Sequence, residues 1–495
     1  MATAPSRRDL LCFVFAAVCC LCWTQCHGKP PNIVFVLTDD QDVEIGGQEP
    51  IQKIRNLIGK QGLVFDNMFV SSPLCCPSRS SIMTGKYVHN HRAYNNSING
   101  GCSSRSWQEQ QEPNAFSVYL KKYGTDLAGG VAHIPPGWDE WVGLVGNSKY
   151  YNYKLSINGQ LEKHGSDYST DYFTNYINRK AEGFLANQKP MGNPFFMMLS
   201  TPACHAPFTP ADPYKNNFSN EKAPRNGSFN VKPKNKHWLI QQTKVPLPDG
   251  SITYIDDTFR NRWRTLLSVD DMVENVVNVL EKKGMLQNTY IFFSSDNGYH
   301  LGQFGLPYDK RQLYEFDVRV PLMVRGPGIK PGQVTQQNAM NIDLGPTFID
   351  LSGQDVPEGM DGKSLASIWN SGRNETQAAF RTELLVEHSG EHGFAVSGCP
   401  QYRGQGMANC DQYCVCEDSW NNTFSCVRSD RPPKVYKYCV MQDNVNFVEV
   451  YELTGDRYEF ENVATTADPS LLASLKGDLA RLTGCSGSTC NIPKP

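Results

Sequence analysis

The sequence lacks an excess of charge of either sign. Its 47 lysines and arginines nearly balance its 50 aspartates and glutamates, and the formal net charge is −3 at pH 7. A surface that binds nucleic acid needs clustered cations to neutralise phosphates, so this balance argues against general nucleic-acid binding and leaves room only for a local basic groove. We expect no nucleic-acid partner.

Compositional bias is also absent. Hydrophobic residues make up 40% and charged residues 20% of the chain, with 41 glycines and 31 prolines among 495 residues. These proportions argue against a disordered chain, a collagen or a coiled coil and indicate an ordinary globular protein. The length suffices for one large domain and a smaller one.

Long apolar runs are scarce. The exception, residues 10–23, follows Arg7 and Arg8 and is too short to span a bilayer comfortably. Small and polar residues follow it up to Gly28, which is the layout of a cleavable secretory signal. A buried N-terminal helix is the alternative, but no polar face interrupts the run. We predict that residues 1–28 are a signal peptide and that the protein has no stable membrane insertion.

Export allows glycosylation. Acceptor tripeptides of the form Asn-x-Ser/Thr begin at Asn95, Asn217, Asn226, Asn374 and Asn421. Each tripeptide can occur by chance, but in an exported chain we predict that these asparagines are surface glycan positions.

The 17 cysteines are concentrated towards the C-terminus. Six lie within residues 399–439, and Cys485 and Cys490 lie near the end of the chain. Disulfides are the default for such cysteines in an oxidising compartment. Zinc is the weaker alternative, because the spacing of Cys414 and Cys416 is too tight for the usual zinc-binding arm and no matching histidine pair follows.

Two continuous apolar runs, residues 33–37 and 290–293, predict strands that are buried on both faces. An amphipathic helix is predicted at residues 259–283, where Gly284 provides the stop. Buried strands that alternate with helices predict an α/β fold with a mostly parallel sheet. Ligands of such folds bind beyond the carboxyl ends of the strands.

Oxygen-bearing side chains follow both predicted strands. They are Asp39 and Asp40 after the first, and Asp296 and Asn297 after the second. His205, after the apolar residues 194–199, would lie at the same edge of the sheet. Oxygen ligands suit Ca²⁺ or Mg²⁺ better than zinc or copper. An aspartate after a strand is more often a turn former or helix cap, so each pair alone is weak.

The longest motif begins at Cys75 and reads Cys-x-Pro-Ser-Arg, with Thr-Gly after four further residues. It resembles the signature of the sulfatase family. Structural thiols at Cys75 and Cys76 are the alternative, but they would explain neither Pro77 nor Arg79. Further stretches that resemble the family are residues 37–42, 148–153, 235–240, 296–300, 310–315 and 414–418.

The resemblance implies a large domain of the sulfatase and alkaline-phosphatase-like class, with a mostly parallel central sheet between helices. Polar, proline-rich residues 355–371 suggest its end, so we predict a catalytic domain at residues 29–372. A strand-like run and a later helix predict that residues 373–495 form a smaller, cysteine-rich α+β subdomain.

The resemblance also implies a role for each site residue. Cys75 would be converted to formylglycine by the formylglycine-generating enzyme. One Ca²⁺ would lie beside modified Cys75 on Asp39, Asp40, Asp296 and Asn297, although sequence alone does not exclude Mg²⁺. Beside Cys75, the implied catalytic residues are Arg79, His205 and Lys310. The predicted substrate-binding residues are Lys86, His237, Trp238 and His300.

A formylglycine hydrate carries two hydroxyls on one carbon. One hydroxyl can attack sulfur, which gives a covalent sulfate ester and releases the alcohol, and the other then expels sulfate and restores the aldehyde. A serine or an unmodified cysteine lacks the second hydroxyl, so a sulfated enzyme would be trapped.

The activity that the resemblance implies is hydrolysis of the 6-O-sulfate of N-acetylglucosamine residues in heparan sulfate and keratan sulfate. The protein would reach the lysosome through the secretory pathway, and it could also be secreted. A homodimer is also possible. The loops at residues 148–153, 235–239 and 299–308 would determine which sugar is bound. The alternative, with equal weight, is that these residues only pack the loops against the fold. A phosphodiesterase of the wider class is a further alternative, although its nucleophile is normally threonine or serine.

One departure from the family pattern lies at Tyr123 and Gly124. There the family has a strand followed by a sulfate-binding lysine, and here residues 118–123 run straight into residues 124–130. Neither Lys121 nor Lys122 can be assumed to substitute for that lysine. Loss of a buried strand should expose a sheet edge. A catalytically inactive sulfatase-like isoform is therefore the alternative function.

Overall fold

The computed structural model describes residues 29–492 except 121–129, 191, 226, 242, 371–378, 392–416 and 418. The strands are β1 (Asn32–Thr38), β2 (Leu63–Phe65), β3 (Met68–Phe69), β4 (Val142–Leu144), β5 (Lys154–Ile157), β6 (Gln160–Lys163), β7 (Phe196–Ser200), β8 (Thr289–Ser295), β9 (Leu322–Arg325), β10 (Gln333–Thr335), β11 (Ala339–Met340), β12 (Glu383–His388), β13 (Phe424–Arg431), β14 (Lys434–Met441) and β15 (Val448–Glu452).

The α-helices are α1 (Gln52–Ile54), α2 (Cys75–Thr84), α3 (Val88–His91), α4 (Arg105–Gln110), α5 (Phe116–Leu120), α6 (Tyr168–Asp171), α7 (Phe173–Asn187), α8 (Trp238–Gln241), α9 (Asp249–Lys282), α10 (Glu315–Val318), α11 (Leu344–Leu351), α12 (Ala366–Asn370) and α13 (Pro469–Thr483). A π-helical turn at Arg55–Gly59 follows α1. Short 3-10 turns occur at Glu112–Asn114, Gly130–Ala132, Asp212–Tyr214, Leu286–Asn288, Asn341–Asp343 and Gly487–Asn491.

A six-stranded sheet in the order β10-β2-β9-β8-β1-β7 forms the centre of the large domain. β1 runs parallel to both β7 and β8, as the sequence predicts. β9 runs antiparallel to β8 and β2, so the sheet is mixed. The register pairs Thr38 with Ser295, the last residues of β1 and β8. The residues that follow the two strands therefore leave the sheet side by side.

Both faces of β1 and β8 are buried, which explains their continuous apolar runs. Alternate side chains point to opposite faces of a strand. Val34 and Ile291 pack on one face against α9 residues such as Val273. Phe35 and Phe292 pack on the other face with α11. This sandwich of a sheet between helices confirms the predicted fold class.

A four-stranded antiparallel sheet, β12-β13-β14-β15, forms the C-terminal subdomain together with α13. The Cys426–Cys439 disulfide joins β13 to β14, and Cys485–Cys490 closes a turn near the C-terminus. Its core residue Val386 belongs to the same hydrophobic cluster as Phe35 of the central sheet. The subdomain is therefore packed onto the catalytic domain.

Several predictions lie outside the described residues. They concern the signal peptide at residues 1–28, Cys399, Cys410, Cys414 and Cys416, and most of the junction at residues 121–130. Within the described part of the chain, β7 is an edge strand of the central sheet. No helix in that part is long and apolar enough to cross a membrane.

The predicted glycan positions differ in burial. Asn217 is exposed. Asn95 and Asn421 retain only 7% and 1% of their accessible surface, so a glycan has little room at either. The structure does not support these two sites as glycan positions. Asn226 and Asn374 lie outside the described residues.

Phe348 of α11 lies at the centre of an aromatic cluster, and its ring centroid is 5.1 to 5.2 Å from those of Phe35, Phe116, Phe196 and Phe292. Phe348→Ala should lower the free energy of unfolding by about 3–5 kcal/mol, because it leaves a cavity against the central sheet. Leu161→Ala, at a side chain that is 48% exposed, should change it by less than about 0.5 kcal/mol. Urea unfolding of both variants measures the two values. Equal losses would place Phe348 outside the core.

Candidate active site

Three buried carboxylates meet beyond the carboxyl ends of β1 and β8. Asp39, Asp40 and Asp296 each offer an oxygen within 4.8 Å of the others, and their residues are 2%, 1% and 0% exposed. Like charges this close repel strongly in a medium of low dielectric constant. The cluster therefore requires positive charge close by.

Backbone geometry holds the carboxylates together. Asp40 has a left-handed φ of 65°, which few side chains other than Asn and Asp adopt readily. The N–H groups of Asp40 and Asn297 both donate to Asp296 Oδ1, at 3.0 and 2.8 Å. The Asn297 Nδ2 group donates to Asp40 Oδ1 at 2.8 Å.

Asn297 also supplies an acceptor without a partner. Its Oδ1 is buried and accepts no hydrogen bond from any residue that the structure describes, although buried polar atoms are normally paired. An unpaired amide oxygen beside three carboxylates matches the oxygen ligands that Ca²⁺ and Mg²⁺ prefer. These four side chains therefore fit a hard divalent cation.

Cys75 is the first residue of α2 and faces the carboxylates. Its Sγ lies 3.6 Å from Asp39 Oδ1 and 4.0 Å from Asp40 Oδ1. Burial and the neighbouring carboxylates raise the pKa of the Cys75 thiol well above its ordinary value, although Lys310 opposes this shift. Cys75 is a free thiol, whereas Cys76 forms a disulfide with Cys102. An unmodified Cys75 is therefore a poor thiolate nucleophile.

Two cations compensate the carboxylates. Arg79, one helical turn after Cys75, contacts Asp296 Oδ2 at 2.8 Å and Asp39 Oδ2 at 3.0 Å. Lys310 Nζ contacts both oxygens of Asp40, at 2.6 and 2.8 Å. The structure thus brings the predicted catalytic cations to the predicted metal ligands.

The charges move the carboxyl pKa values in opposite directions. Burial opposes ionisation of Asp39, but Arg79, His205 and Lys310 hold its pKa well below the ordinary value. Burial raises the pKa of Asp296 to about 7, and the neighbouring Asp39 adds to this shift. A bound divalent cation would favour the ionised form of both groups.

His205 lies at the edge of the cluster, and its Nε2 is 3.9 Å from Asp40 Oδ2. Its Nδ1 must donate to the Ala206 carbonyl at 2.7 Å, because a carbonyl only accepts. This bond fixes the orientation of the ring, so Nε2 is the nitrogen that faces the carboxylates. The Tyr150 hydroxyl donates to the His205 carbonyl at 2.9 Å and supports the loop.

Ser148 is a site residue that the sequence did not identify individually. Its Oγ donates to Asp39 Oδ2 at 2.6 Å. The sequence indicated it only as the first residue of the loop 148–153, which we predicted to determine sugar specificity. A lone serine in a polar loop carries no pattern that would single it out.

The predicted substrate-binding residues do not share one environment. Lys86 Nζ lies 3.4 Å from Gln111 Oε1, and Trp238 Nε1 donates to Asp443. His237 is 0% exposed, and its Nε2 also contacts Asp443. A fully buried side chain offers a sugar no contact surface. The structure therefore does not support a substrate-binding role for His237.

His300 is likewise 0% exposed and is held between two carboxylates. Its Nδ1 contacts Asp317 at 3.0 Å, and its Nε2 contacts Glu417 at 3.1 Å. Gln312 donates to both carboxylates, through its backbone N–H to Asp317 and its side chain to Glu417. His300 thus ties the loop after β8 to the C-terminal part of the chain. The structure does not support its assignment to substrate binding.

Comparison with known proteins agrees with this geometry. The family described as Sulfatase matches residues 31–354. N-acetylglucosamine-6-sulfatase of Homo sapiens is 50% identical over 482 residues, covering 94% of this chain and 86% of the relative. The protein of the same name from Capra hircus is 49% identical over 483 residues with the same coverage.

A solved structure in complex with its substrate D-glucosamine-2-N,6-O-disulfate shares the fold. Its TM-score is 0.71 at 23% sequence identity, and the match covers 92% of this chain and 97% of that one.

Asp296→Asn should weaken Ca²⁺ binding by at least roughly tenfold, because it removes a charged ligand while keeping the side-chain volume. Isothermal titration calorimetry measures the dissociation constant. Asp270→Asn is the matched control, since Asp270 is buried on α9 and accepts from the backbone of Lys53 and Ile54. Asp270→Asn should lower the melting temperature without changing Ca²⁺ affinity. Equal affinities in both variants would remove Asp296 from the site.

His300 should stabilise the protein in a pH-dependent way. Burial disfavours the imidazolium, but the charges of Asp317 and Glu417 raise the pKa of His300 from 6.5 to about 10. The stabilisation is therefore fully present below pH 6.5 and is lost as pH rises towards 10. His300→Gln should lower the melting temperature more at about pH 6 than at about pH 10. An equal loss at both pH values would show that packing alone explains the contribution of His300.

Proposed function

The chain belongs to the sulfatase family and is a sulfuric ester hydrolase, and from this we propose that it removes the 6-O-sulfate of N-acetylglucosamine residues in heparan sulfate and keratan sulfate. The observation that carries the proposal is the convergence of the signature cysteine Cys75 with three carboxylates and two cations. The relatives named N-acetylglucosamine-6-sulfatase support the choice of sugar.

The proposed nucleophile is formylglycine made from Cys75 by the formylglycine-generating enzyme. Its hydrate supplies one hydroxyl that attacks sulfur and a second that expels sulfate. The position of Cys75 at the start of α2 supports this role, because the helix N-terminus favours negative charge that develops beside it.

The proposed cation is Ca²⁺, held by Asp39, Asp40, Asp296 and Asn297. When bound, it would lower the energy of negative charge on the oxygens of the reacting group. The unpaired Oδ1 of Asn297 supports this assignment.

Three residues of the chain would bind the sulfate and move the proton. Arg79 and Lys310 offset the negative charge of the sulfate group, and Arg79 can do so with forked hydrogen bonds. His205 would donate a proton from Nε2 to the leaving sugar oxygen, since Nδ1 is committed to Ala206.

The location that we propose is the lysosome, reached through the secretory pathway. We do not propose the inactive alternative. Arg79, His205 and Lys310 all lie beside the carboxylates, and no comparison favours loss of activity.

The sharpest test is mass spectrometry of the Cys75 peptide from protein made with the converting enzyme. It should show an aldehyde in place of the thiol, whereas the peptide with Cys204, the other described free thiol, should stay unmodified. Full retention of the Cys75 thiol would refute the mechanism.

An activity assay tests the substrate. The wild type should release sulfate from N-acetylglucosamine 6-sulfate, and Cys75→Ala should lose this activity by at least roughly a thousandfold, because it removes the nucleophile. An aryl sulfate and an aryl phosphate should be compared in parallel. Preferential cleavage of the phosphate ester would favour the phosphodiesterase alternative.

A further inference from the structure

Arg262 is a buried cation that the proposed chemistry does not use. It lies in the middle of α9, is 2% exposed, and is among the largest fully buried side chains of the described residues. A buried guanidinium is costly unless its hydrogen bonds and its charge are satisfied. Its partners therefore show what it does.

The partners belong to three different loops of the active site. Arg262 Nη2 donates to the backbone carbonyl of Asp40 at 2.7 Å and to Asp42 Oδ1 at 3.0 Å. Nη1 donates to the carbonyl of Cys204, the residue before His205, at 3.4 Å. The guanidinium carbon lies 3.9 Å from the centre of the Tyr299 ring, two residues after Asn297.

Each contact acts on a residue next to the catalytic machinery. Asp40 is a proposed cation ligand with a left-handed backbone, and its carbonyl is held by Arg262 at 2.7 Å and by the Cys204 thiol at 3.6 Å. The other oxygen of Asp42 accepts the N–H groups of Ile45 and Gly47, so Arg262 also fixes the turn that follows Asp40. Cys204 and Tyr299 connect the same guanidinium to the loops of His205 and Asn297.

We propose that Arg262 is a positioning residue that holds the loops of Asp40, His205 and Asn297 in one arrangement, and that the cation affinity of the site depends on it. α9 can hold Arg262 in a fixed position relative to the loops, because the apolar face of this helix is buried against the central sheet. The planar guanidinium is essential to the role, since its separate nitrogens reach Asp42 and the carbonyls of Asp40 and Cys204. A lysine has the same charge but concentrates its three donors on one nitrogen, so it lacks this planar fork. The inference rests on the proposed function in taking Ca²⁺ as its probe.

The test compares Arg262→Lys with Arg264→Lys in the full-length protein. Arg264 lies on the same helix, but it donates to the Asn217 carbonyl and to Asn261, away from the cation ligands. Arg262→Lys should raise the Ca²⁺ dissociation constant by roughly 10- to 100-fold, as removal of a group that orients ligands typically does. Arg264→Lys should change it by less than about twofold.

The melting temperature in chelator separates positioning from general stability. A merely structural role would lower the melting temperature of the metal-free protein and leave the dissociation constant unchanged. An Arg262→Lys variant that folds and binds Ca²⁺ like the wild type would overturn the inference. If Arg262→Lys shows no cooperative unfolding, the Ca²⁺ affinity of Asp42→Asn is measured instead. This variant removes the charged partner of Arg262 at nearly constant side-chain volume. Unchanged affinity in Asp42→Asn would then overturn the inference.

The double variant Asp42→Asn/Arg262→Lys adds a check on the pair. The two effects on affinity should be less than additive, because both remove the same contact. Fully additive effects would show that Arg262 does not act through Asp42. A wild type that binds neither Ca²⁺ nor Mg²⁺ would refute the proposed metal centre and this inference together, whereas normal binding by both wild type and Arg262→Lys refutes the inference alone.

Discussion

The mutual repulsion of three buried carboxylates is the constraint on which the site depends. Two unit charges 4 Å apart repel by about 4 kcal/mol even at an effective dielectric constant of about 20. The three carboxylates are tolerated because Arg79 contacts Asp39 and Asp296, and Lys310 contacts Asp40. The same two cations lie near Cys75, the residue from which the proposed nucleophile is made. In the function that we propose, the same side chains would balance the carboxylates and bind the sulfate.

Several strands, helices and loops hold these charged side chains in place. The parallel pairing of β1 with β8 places Asp39 beside Asp296, and α2 brings Cys75 and Arg79 to the same point. Buried ion pairs then hold the surrounding loops. His300 joins the loop after β8 to Glu417, and Arg262 joins α9 to the loop after β1. Such pairs are costly to desolvate, but breaking one of them leaves an unpaired charge, so they favour a single arrangement of the loops.

Much of the fold and the centre of the site could be predicted from the sequence. The apolar runs of β1 and β8 are typical of strands buried on both faces, and Cys75 begins a long and specific motif. Two features could not be predicted from the sequence. The central sheet is mostly parallel, as predicted, but β9 runs antiparallel to its neighbours, and a short apolar run carries no information about strand direction. Asn95 and Asn421 match the glycosylation tripeptide but are buried, because three residues do not encode their tertiary surroundings.

The sequence by itself determined the family, the buried strands, the oxygen-bearing side chains that follow them and the residues of the signature. These features depend on local composition and on spacing along the chain, so they can be recognised without a structure. Only the tertiary structure decided that Ser148 donates to Asp39, that His237 and His300 are buried in contacts with carboxylates, and that Arg262 connects three active-site loops. These contacts join residues that are far apart in the chain. Which residues meet depends on how the helices and the C-terminal sheet pack on the central sheet.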